Sequence, residues 1–231
     1  MTHGSTGDPG GRQLLLDFPR IDPAQRPVIE TGPYRSVIGT LRRWKSWPEG
    51  QLAITGEAFS GKTRLLRLWA ADAGAAFTTG AALAAADIGE ISGLTVTALA
   101  VDDADLGENG LNLFAALNLC RNRGAPVLLA GGREPGGWYA DPPDLGSRLK
   151  AMPVAVINAP DDETLGLRLS EECARRHLNL PTESVSYLAT RMERTWESIS
   201  RVADQVERTP GRAARRKSAR AVLTALGIDP G

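Results

Sequence analysis

Cysteine and histidine are scarce in this sequence. Its 231 residues include two cysteines and two histidines. Cys120 and Cys173 have no second cysteine at the CxxC spacing of redox or zinc sites, so we interpret both as packing residues of a cytosolic protein. His3 and His177 are too few for a histidine-rich zinc site or a histidine-based catalytic triad. The chemistry of this protein is therefore expected to lie on other side chains.

An excess of charge of either sign is also missing. The chain carries 27 Lys and Arg against 27 Asp and Glu, which gives a net charge of zero. A protein that coats nucleic acid or anionic lipid by net charge alone is thereby excluded. With 42% hydrophobic and 23% charged residues, the composition is typical of a globular protein with one or two domains.

Long apolar runs are absent as well. The longest weakly charged stretch, 73–101, is interrupted by Asp87, Glu90 and several glycines, so no membrane span is predicted. Residues 1–12 are polar and glycine-rich, which is unlike a secretory signal. We therefore expect a cytoplasmic protein without membrane contact.

Hydrophobic periodicity divides the chain into three parts. Residues 1–23 predict a flexible tail, 24–160 an α/β nucleotide-binding domain and 161–231 a small helical domain. The α/β part alternates strands with helices, which favours a parallel sheet flanked by helices. The predicted strands are 51–55, 75–79, 95–101, 126–130 and 154–158. The predicted helices begin with one that starts at Tyr34 and is broken by 48–50, followed by 61–73 and 109–123. After Pro160 they continue with 161–177, 181–192, 194–208 and 211–226.

A phosphate-binding loop is the sharpest motif. The segment 56–63, GEAFSGKT, fits G-x-x-x-x-G-K-[ST] and lies between a predicted strand and a predicted helix. Backbone N–H groups from Gly56 to Gly61, including that of Ser60, would curl around a β-phosphate, while Lys62 reaches the β- and γ-phosphate oxygens. Thr63 would supply a hydroxyl to Mg²⁺. The motif predicts ADP or ATP with Mg²⁺; the alternative is a glycine-rich turn that contains a lysine.

Two carboxylates follow the next strongly apolar strand. In the segment 99–103, LAVDD, Asp102 is placed to hold Mg²⁺ through water. Asp103 would orient or deprotonate an attacking water, although an Asp at this place could equally serve to form the turn 103–105.

Two arginines are candidates for phosphoryl-charge neutralisation. Arg148 lies between the last two predicted strands, and Arg194 begins the third helix of the small domain. A planar, permanently charged guanidinium suits a phosphate of a neighbouring subunit or a lid that closes over the nucleotide. For each arginine the alternative is a surface ion pair.

Together, the phosphate loop, the segment 101–103, the segment 143–149 and Arg194 resemble the AAA+ module of the replication initiator DnaA. The resemblance covers about residues 20–231 and is strongest to Hda-type DnaA homologues. It implies a P-loop AAA+ sheet followed by a helical lid, with Arg148 as an arginine finger acting in trans. It also implies that Arg194 contacts the chain's own nucleotide from the lid and that Val28 and Ile29 lie beside adenine.

The segment 13–19, QLLLDFP, supports the Hda branch. It resembles the short peptide by which many proteins bind the DNA-polymerase sliding clamp, with Gln13 as polar anchor and Leu14, Leu16 and Phe18 as apolar anchors. The alternative is that this island packs as an edge strand. The resemblance implies a regulatory inactivator of DnaA that is tethered to the DNA-loaded clamp and stimulates hydrolysis of DnaA-bound ATP, which represses replication initiation.

One departure from the initiator pattern concerns hydrolysis by this chain itself. In the initiator family, the strand that corresponds to 127–130 leads to a polar residue before an arginine. Here Arg133 matches that arginine, but Gly131 and Gly132 stand at the place of the polar residue. Glycine has no side chain that could orient water, so we expect slow or negligible intrinsic ATPase activity. Bound ADP is expected mainly to fix the angle between the α/β domain and the helical lid.

Two other functions remain as alternatives. An autonomous P-loop ATPase, such as a helicase loader or clamp loader, would use Asp103 and Arg148 within a homo-oligomer. A sequence-specific DNA-binding protein is disfavoured, because no segment beyond the lid helices is left to recognise bases. The predicted lid is basic, with nine Lys and Arg against four Asp and Glu in residues 191–220. One interpretation of this excess is weak contact with DNA, and the alternative is a helix face exposed to solvent.

Overall fold

Residues 30–209 and 216–229 are described by a computed structural model, with no side-chain description for 216–218. They form a five-stranded parallel sheet in the order β2-β3-β4-β1-β5. The strands are β1 (Gln51–Gly56), β2 (Ala76–Thr79), β3 (Leu99–Asp102), β4 (Val127–Gly131) and β5 (Val154–Ile157). The predicted parallel sheet flanked by helices is confirmed.

Central strands of this sheet are apolar on both faces. Every residue of β3 and β4 is buried, as are the first five of β1. Such continuous burial is expected where helices cover both sides of a parallel sheet. β5 alternates instead: Val154 and Val156 are exposed, while Ala155 and Ile157 are buried.

The prediction for β3 was wrong at its beginning. A strand over 95–101 was expected, but β3 starts at Leu99. Its neighbours begin at the same level, because Leu99 pairs with Ala76 on one side and with Val127 on the other. Residues 95–98 therefore have no strand residues beside them to pair with in the sheet. The Ala98 carbonyl still accepts a hydrogen bond from the Ala76 N–H at 2.9 Å.

Ten α-helices surround the sheet or follow it within the described ranges. The first six are α1 (Gly32–Arg42), α2 (Lys62–Ala73), α3 (Gly80–Ala85), α4 (Ile88–Gly93), α5 (Gly110–Arg123) and α6 (Pro143–Ala151). The remaining four are α7 (Asp162–Arg175), α8 (Thr182–Ala189), α9 (Trp196–Arg208) and α10 (Arg216–Ala225). Short 3-10 helices occupy Trp44–Ser46, Pro48–Gly50, Ala104–Leu106 and Pro135–Gly137.

Helix α2 carries the phosphate loop into the core. It begins after Gly61 and ends before Gly74, both in the left-handed conformation that glycine adopts at little cost. Leu65, Leu66 and Trp69 are buried, as the periodicity predicts. Leu68 was also expected to face inward but is only half-buried, because it lies on the open groove between α1 and α2.

Helices α7–α10 pack against the same core as α1 and one face of the sheet. A single cluster of buried apolar side chains runs from Tyr34 through Ile54 to Leu165 and Trp196. The Asp161 carboxylate caps α7 by accepting a hydrogen bond from the Thr164 N–H at 2.8 Å. Helix α9 begins at Trp196, not at the predicted residue 194, because the Thr195 hydroxyl caps it. The division of the chain at residue 160 stays a prediction.

Within the described ranges, none of the helices combines the length and apolar character needed to traverse a bilayer.

Both cysteines are expected to be unreactive in the folded protein. Cys120 and Cys173 are buried, and burial raises the pKa of each thiol to about 11, so the reactive thiolate is absent at neutral pH. In native buffer a chromogenic disulfide reagent should label neither thiol within minutes, whereas both should react at once in guanidinium chloride. Rapid native labelling of either residue would contradict this packing.

Candidate nucleotide-binding site

The predicted phosphate loop connects β1 to α2 at the carboxyl edge of the sheet. Gly56 ends β1 beside Ile157 of β5, and the loop turns back through Phe59 and Gly61 before α2 begins. Gly61 has a φ of 88°, and Phe59 has a φ of 64° with its side chain 63% exposed. A positive φ at a bulky residue is unfavourable, and such strain is typical of functional loops.

Lys62 points its ammonium group into this loop. Nζ donates hydrogen bonds to the carbonyl oxygens of Gly56 at 2.8 Å and Glu57 at 2.9 Å. An open cleft of about 550 Å³ lies here, lined by Ala58, Phe59, Gly61, Lys62, Thr63, Arg64, Arg67 and Asp103. Three cations and the first turn of a helix thus face one cleft, an arrangement suited to phosphate groups.

Ser60 lies beneath the loop with its hydroxyl in contact with the backbone. The residue is fully buried, and its Oγ has no hydrogen-bond partner within the described part of the chain. A Cβ at Gly56 would lie 2.9 Å from this oxygen and 3.1 Å from the Cβ of Ile157. Only glycine therefore fits at the first position of the motif, next to the unpartnered Ser60 hydroxyl.

Tyr34 of α1 holds the loop from the other side, a role that sequence reasoning missed. Its hydroxyl donates a hydrogen bond to the Ser60 carbonyl at 2.7 Å, and burial raises its pKa to about 12. The ring packs against Trp196 of α9 with the centroids 5.2 Å apart. Tyr34 thereby connects the phosphate loop to the helical region. The sequence predicts a helix there, but no local pattern indicates this contact.

The two carboxylates after β3 lie next to the loop. Asp102 is buried at the end of the strand, whereas Asp103 is exposed, lines the cleft and has a left-handed φ of 47°. Partial burial and the neighbouring charges of Asp102 and Asp105 raise the pKa of Asp103, with Lys62 acting in the opposite direction. The structure thus brings Asp102 and Asp103 to the same edge of the sheet as Lys62.

A third carboxylate reaches the end of β4, and the sequence analysis did not assign it a role there. Oδ2 of Asp105 accepts a hydrogen bond from the Gly132 N–H at 2.8 Å. A Cβ on Gly131 would lie 2.6 Å from the indole of Trp138 and 3.1 Å from the Asp105 carboxylate. The two glycines thus leave the space that Trp138 and Asp105 occupy. The only sequence signal was a third Asp within the run 102–105.

The two predicted arginines do not line the cleft. The Arg148 guanidinium lies over the Phe114 ring at 5.2 Å, and its shielded Nη1 has no hydrogen-bond partner among the described residues. Arg194 is exposed and forms an ion pair with Asp162 at 3.0 Å, so the alternative expected for it, a surface ion pair, is what this structure contains.

Other predicted residues lie outside the described ranges. They are Gln13, Leu14, Leu16, Phe18, Val28 and Ile29, for which the predictions stand as made. Close to them in the chain, Thr31 is buried against α7. The Thr164 hydroxyl donates to the Thr31 hydroxyl at 2.7 Å, so the last residue of the predicted adenine-binding segment, 28–31, contacts the helical region.

The residues at the cleft fit a nucleotide and a magnesium ion. Lys62 and the α2 N-terminus provide groups that suit phosphate, and Gly56 and Gly61 keep the loop free of side chains at its two ends. Thr63 and Asp102 are oxygen donors of the kind Mg²⁺ prefers. In residues 30–209 and 216–229, no three His, Cys, Asp or Glu side chains group closely enough to hold a metal. Mg²⁺ here would therefore depend on phosphate and water ligands, as is usual for this ion.

Comparison with known proteins identifies the fold. No protein-family model matches the sequence, and no curated protein sequence matches it. Among solved structures, domain III of the Thermotoga maritima replication initiation protein DnaA is similar, with a TM-score of 0.65 and 19% identity over 85% of this chain and 94% of that one.

Two further structures extend this likeness. AMPPCP-bound DnaA from Aquifex aeolicus has a TM-score of 0.62 at 17% identity, over 78% of this chain and 63% of that one. The Thermotoga maritima RuvB Holliday junction branch migration motor has a TM-score of 0.59 at 14% identity, over 86% of this chain and 68% of that one. The chain spans less than two thirds of the length of three initiator structures, 62%, 63% and 60%. The chain therefore has the AAA+ P-loop fold of these structures.

Removing the Tyr34 hydroxyl is expected to loosen the phosphate loop. Tyr34→Phe leaves the buried Ser60 carbonyl without its donor, which should lower the free energy of unfolding by about 1–2 kcal/mol. Affinity for a fluorescent ADP should fall in parallel. Urea unfolding and nucleotide titration measure the two effects.

Tyr139→Phe is the matched control, because Tyr139 is 54% exposed and the substitution is the same. It should change neither quantity. Equal behaviour of the two variants would show that the Tyr34 hydroxyl does not hold the loop.

Proposed function

We propose that this chain is a nucleotide-binding AAA+ regulator that inactivates a DnaA-type replication initiator. In this proposal ADP or ATP with Mg²⁺ binds at the phosphate loop, and the chain stimulates hydrolysis of the ATP held by the initiator. The proposal places the protein in the cytoplasm, where an initiator and a DNA-loaded clamp would be its partners. The fold, the phosphate cleft and the state of Arg148 support it.

In this proposal the chain's own nucleotide is held by residues of the cleft and by others from elsewhere in the chain. The hydrogen bonds from Lys62 to two loop carbonyls keep its ammonium group inside the loop, where phosphate would bind. On nucleotide binding, Lys62 would exchange these carbonyl partners for phosphate oxygens. Thr63 and Asp102 would hold Mg²⁺, which supplies positive charge next to the phosphates. Arg194 would leave Asp162 for the nucleotide, which costs little because this ion pair is exposed. Val28 and Ile29 would contact the adenine.

Arg148 is the observation that carries the proposal. It lies on α6, away from the residues that line the chain's own cleft, and the Phe114 ring supports its guanidinium. Its Nη1 is shielded from solvent without an acceptor among the described residues, which is unfavourable for a charged donor. In the proposal the guanidinium turns outward from Phe114 to meet a phosphate oxygen on a second AAA+ module, which would satisfy this donor. An arginine in trans accelerates phosphoryl transfer by stabilising charge.

The tether to the sliding clamp rests on the sequence 13–19 alone. A flexible segment with one polar anchor and several apolar anchors can fill a preformed pocket on a partner. Tethering raises the local concentration of the regulator near replicating DNA without any new contact between regulator and initiator.

DNA contact through the lid forms no part of the proposal. Of the cations counted in 191–220, Arg194 and Arg201 are engaged in ion pairs, the latter with Glu193 at 2.5 Å. Arg212 and Arg215 lie outside the described ranges.

An autonomous ATPase is the second candidate, and one observation favours it. Asp105 supplies a polar group at the end of β4, where the sequence by itself suggested none. In that case Arg148 would act on a second copy of this chain within a homo-oligomer.

Arg148→Ala is expected to abolish the stimulation of initiator-bound ATP hydrolysis. With DNA-loaded clamp and ATP pre-bound to DnaA, the wild-type chain should accelerate hydrolysis, and the variant should lower that effect by about 10³-fold. Affinity of the variant for its own ADP should not change, because Arg148 does not line that cleft.

Lys150→Ala is the control, since Lys150 is an exposed cation on the same helix. It should keep full stimulation. If the wild-type chain leaves the rate of DnaA-bound ATP hydrolysis unchanged, the inactivator proposal fails. Rapid steady-state turnover by the isolated chain would then favour the autonomous ATPase.

Clamp binding should depend on the apolar anchors of the N-terminal peptide. The double substitution Leu14→Ala and Phe18→Ala should weaken clamp affinity by about tenfold or more, because buried anchors of this kind carry most of the binding energy. Asp17→Ala should bind as the wild type does. Unchanged affinity of the double variant in a surface-binding titration would eliminate the tether.

A further inference from the structure

A groove with an apolar floor lies between α1 and α2. It has a volume of about 400 Å³ and is lined by Glu30, Ile38, Leu41, Arg42, Leu65, Leu68, Trp69 and Asp72. The floor consists of four buried apolar residues and the half-buried Leu68, and the three charged residues form the rim. This lining shares no residue with the phosphate cleft. The function proposed above therefore leaves the groove without a role.

The length of the groove limits what can fill it. Along α2 the lining runs from Leu65 to Asp72, which corresponds to a rise of about 10 Å along the helix axis. An extended chain covers that distance with about three residues. An apolar floor under a charged rim suits apolar side chains carried on a peptide backbone. The groove thus fits a short apolar segment.

The chain that precedes Glu30 leaves from the rim of this groove. Glu30 is the first of the described residues, and its carboxylate forms an ion pair with Arg42, also on the rim. Residues 19–29 separate Glu30 from the segment 13–18, QLLLDF. Fully extended they span roughly 35 Å, so the segment can reach every part of the groove. Such a short tether gives an effective concentration in the millimolar range, and a weak contact is then sufficient for docking.

The segment matches the groove in length and in charge. In an extended chain alternate side chains share one side, so Leu14 and Leu16 can lie together on the apolar floor. At the rim, Asp72 accepts a hydrogen bond from the Trp44 indole at 2.9 Å, and this uncharged donor leaves the negative charge in place. Arg12, just before the segment, can add a favourable charge pair with that carboxylate.

We propose that residues 13–18 of this chain dock in its own α1–α2 groove, with Leu14 and Leu16 on the apolar floor. The same two leucines are clamp anchors in the function proposed above, so the segment cannot occupy both places at once. A clamp then binds only those chains in which the segment is undocked. The competition rests on the proposed clamp tether, whereas the docking itself does not.

Disulfide trapping tests the docking without any clamp. In the full chain, Leu16→Cys is combined with Leu68→Cys in the groove or, as the matched control, with Leu167→Cys on α7. Leu167 is 41% exposed and lies outside the groove. A disulfide needs Cα atoms within about 7 Å of each other. The groove pair should therefore form an intramolecular disulfide about tenfold faster than the control pair.

Two results of this trapping would overturn the docking. One is an equal rate for the two pairs of thiols. The other is a disulfide that links two chains, which would assign the groove to the segment of a second copy. Peptide mass spectrometry and a non-reducing gel distinguish these results from the expected one. The two native cysteines are buried and should not compete.

Leu68→Asp tests the competition with the clamp. A carboxylate on the groove floor should release the segment, and clamp affinity should rise by about threefold to tenfold because more chains are undocked. Leu167→Asp makes the same change outside the groove and should leave clamp affinity as in the wild type. Urea unfolding verifies that both variants are folded. As a second measurement, saturating clamp should slow disulfide trapping of the groove pair several-fold.

The competition and the clamp tether can fail separately. A clamp that binds the chain without slowing the trapping would overturn the competition, as would a folded Leu68→Asp variant with wild-type clamp affinity. If the clamp does not bind the wild-type chain at all, the tether fails. The docking is then still decided by the trapping rates, which are measured without clamp.

Discussion

Parallel pairing of β1 between β4 and β5 is the constraint on which the site depends. Parallel strands end at a common edge, so the register that joins Thr55 to Gly131 and Gly56 to Ile157 puts the phosphate loop beside the end of β4. β3 pairs with β4 on its other side and adds its carboxylates at the same edge. Loops distant in sequence thus meet at one cleft, which is the usual place for ligands in open α/β sheets.

Several contacts among the described residues connect the same edge to the helical region. Tyr34 bonds the phosphate loop and packs on Trp196, and Thr164 of α7 bonds Thr31. Arg64 of α2 lies 3.6 Å from Glu171 of α7. These contacts form a continuous path of packed or hydrogen-bonded side chains from the phosphate loop to α7 and α9. Coupling between two sites needs contiguous contacts, and this structure contains them.

The charged groups divide by location. Lys62 and Asp103 line the cleft in which the proposed nucleotide would bind, and Asp102 and Asp105 lie next to Asp103 at the same edge of the sheet. Arg148 lies on α6, supported by Phe114, outside that cleft. A regulator that binds one nucleotide and acts on another needs this separation, because its own phosphates would otherwise compete for the arginine.

The sequence by itself determined the five strands, the longer helices, the parallel sheet, the phosphate loop and the neighbouring Asp102 and Asp103, because each depends on local spacing and periodicity. It did not predict α3, α4 and α6, which are short. The start of β3 at Leu99 was decided by where its neighbours begin. The contacts of Tyr34 with Ser60 and of Asp105 with Gly132 join residues 26 and 27 positions apart. Only the tertiary structure decided them, because a hydrogen bond between distant segments requires the fold to bring both groups together.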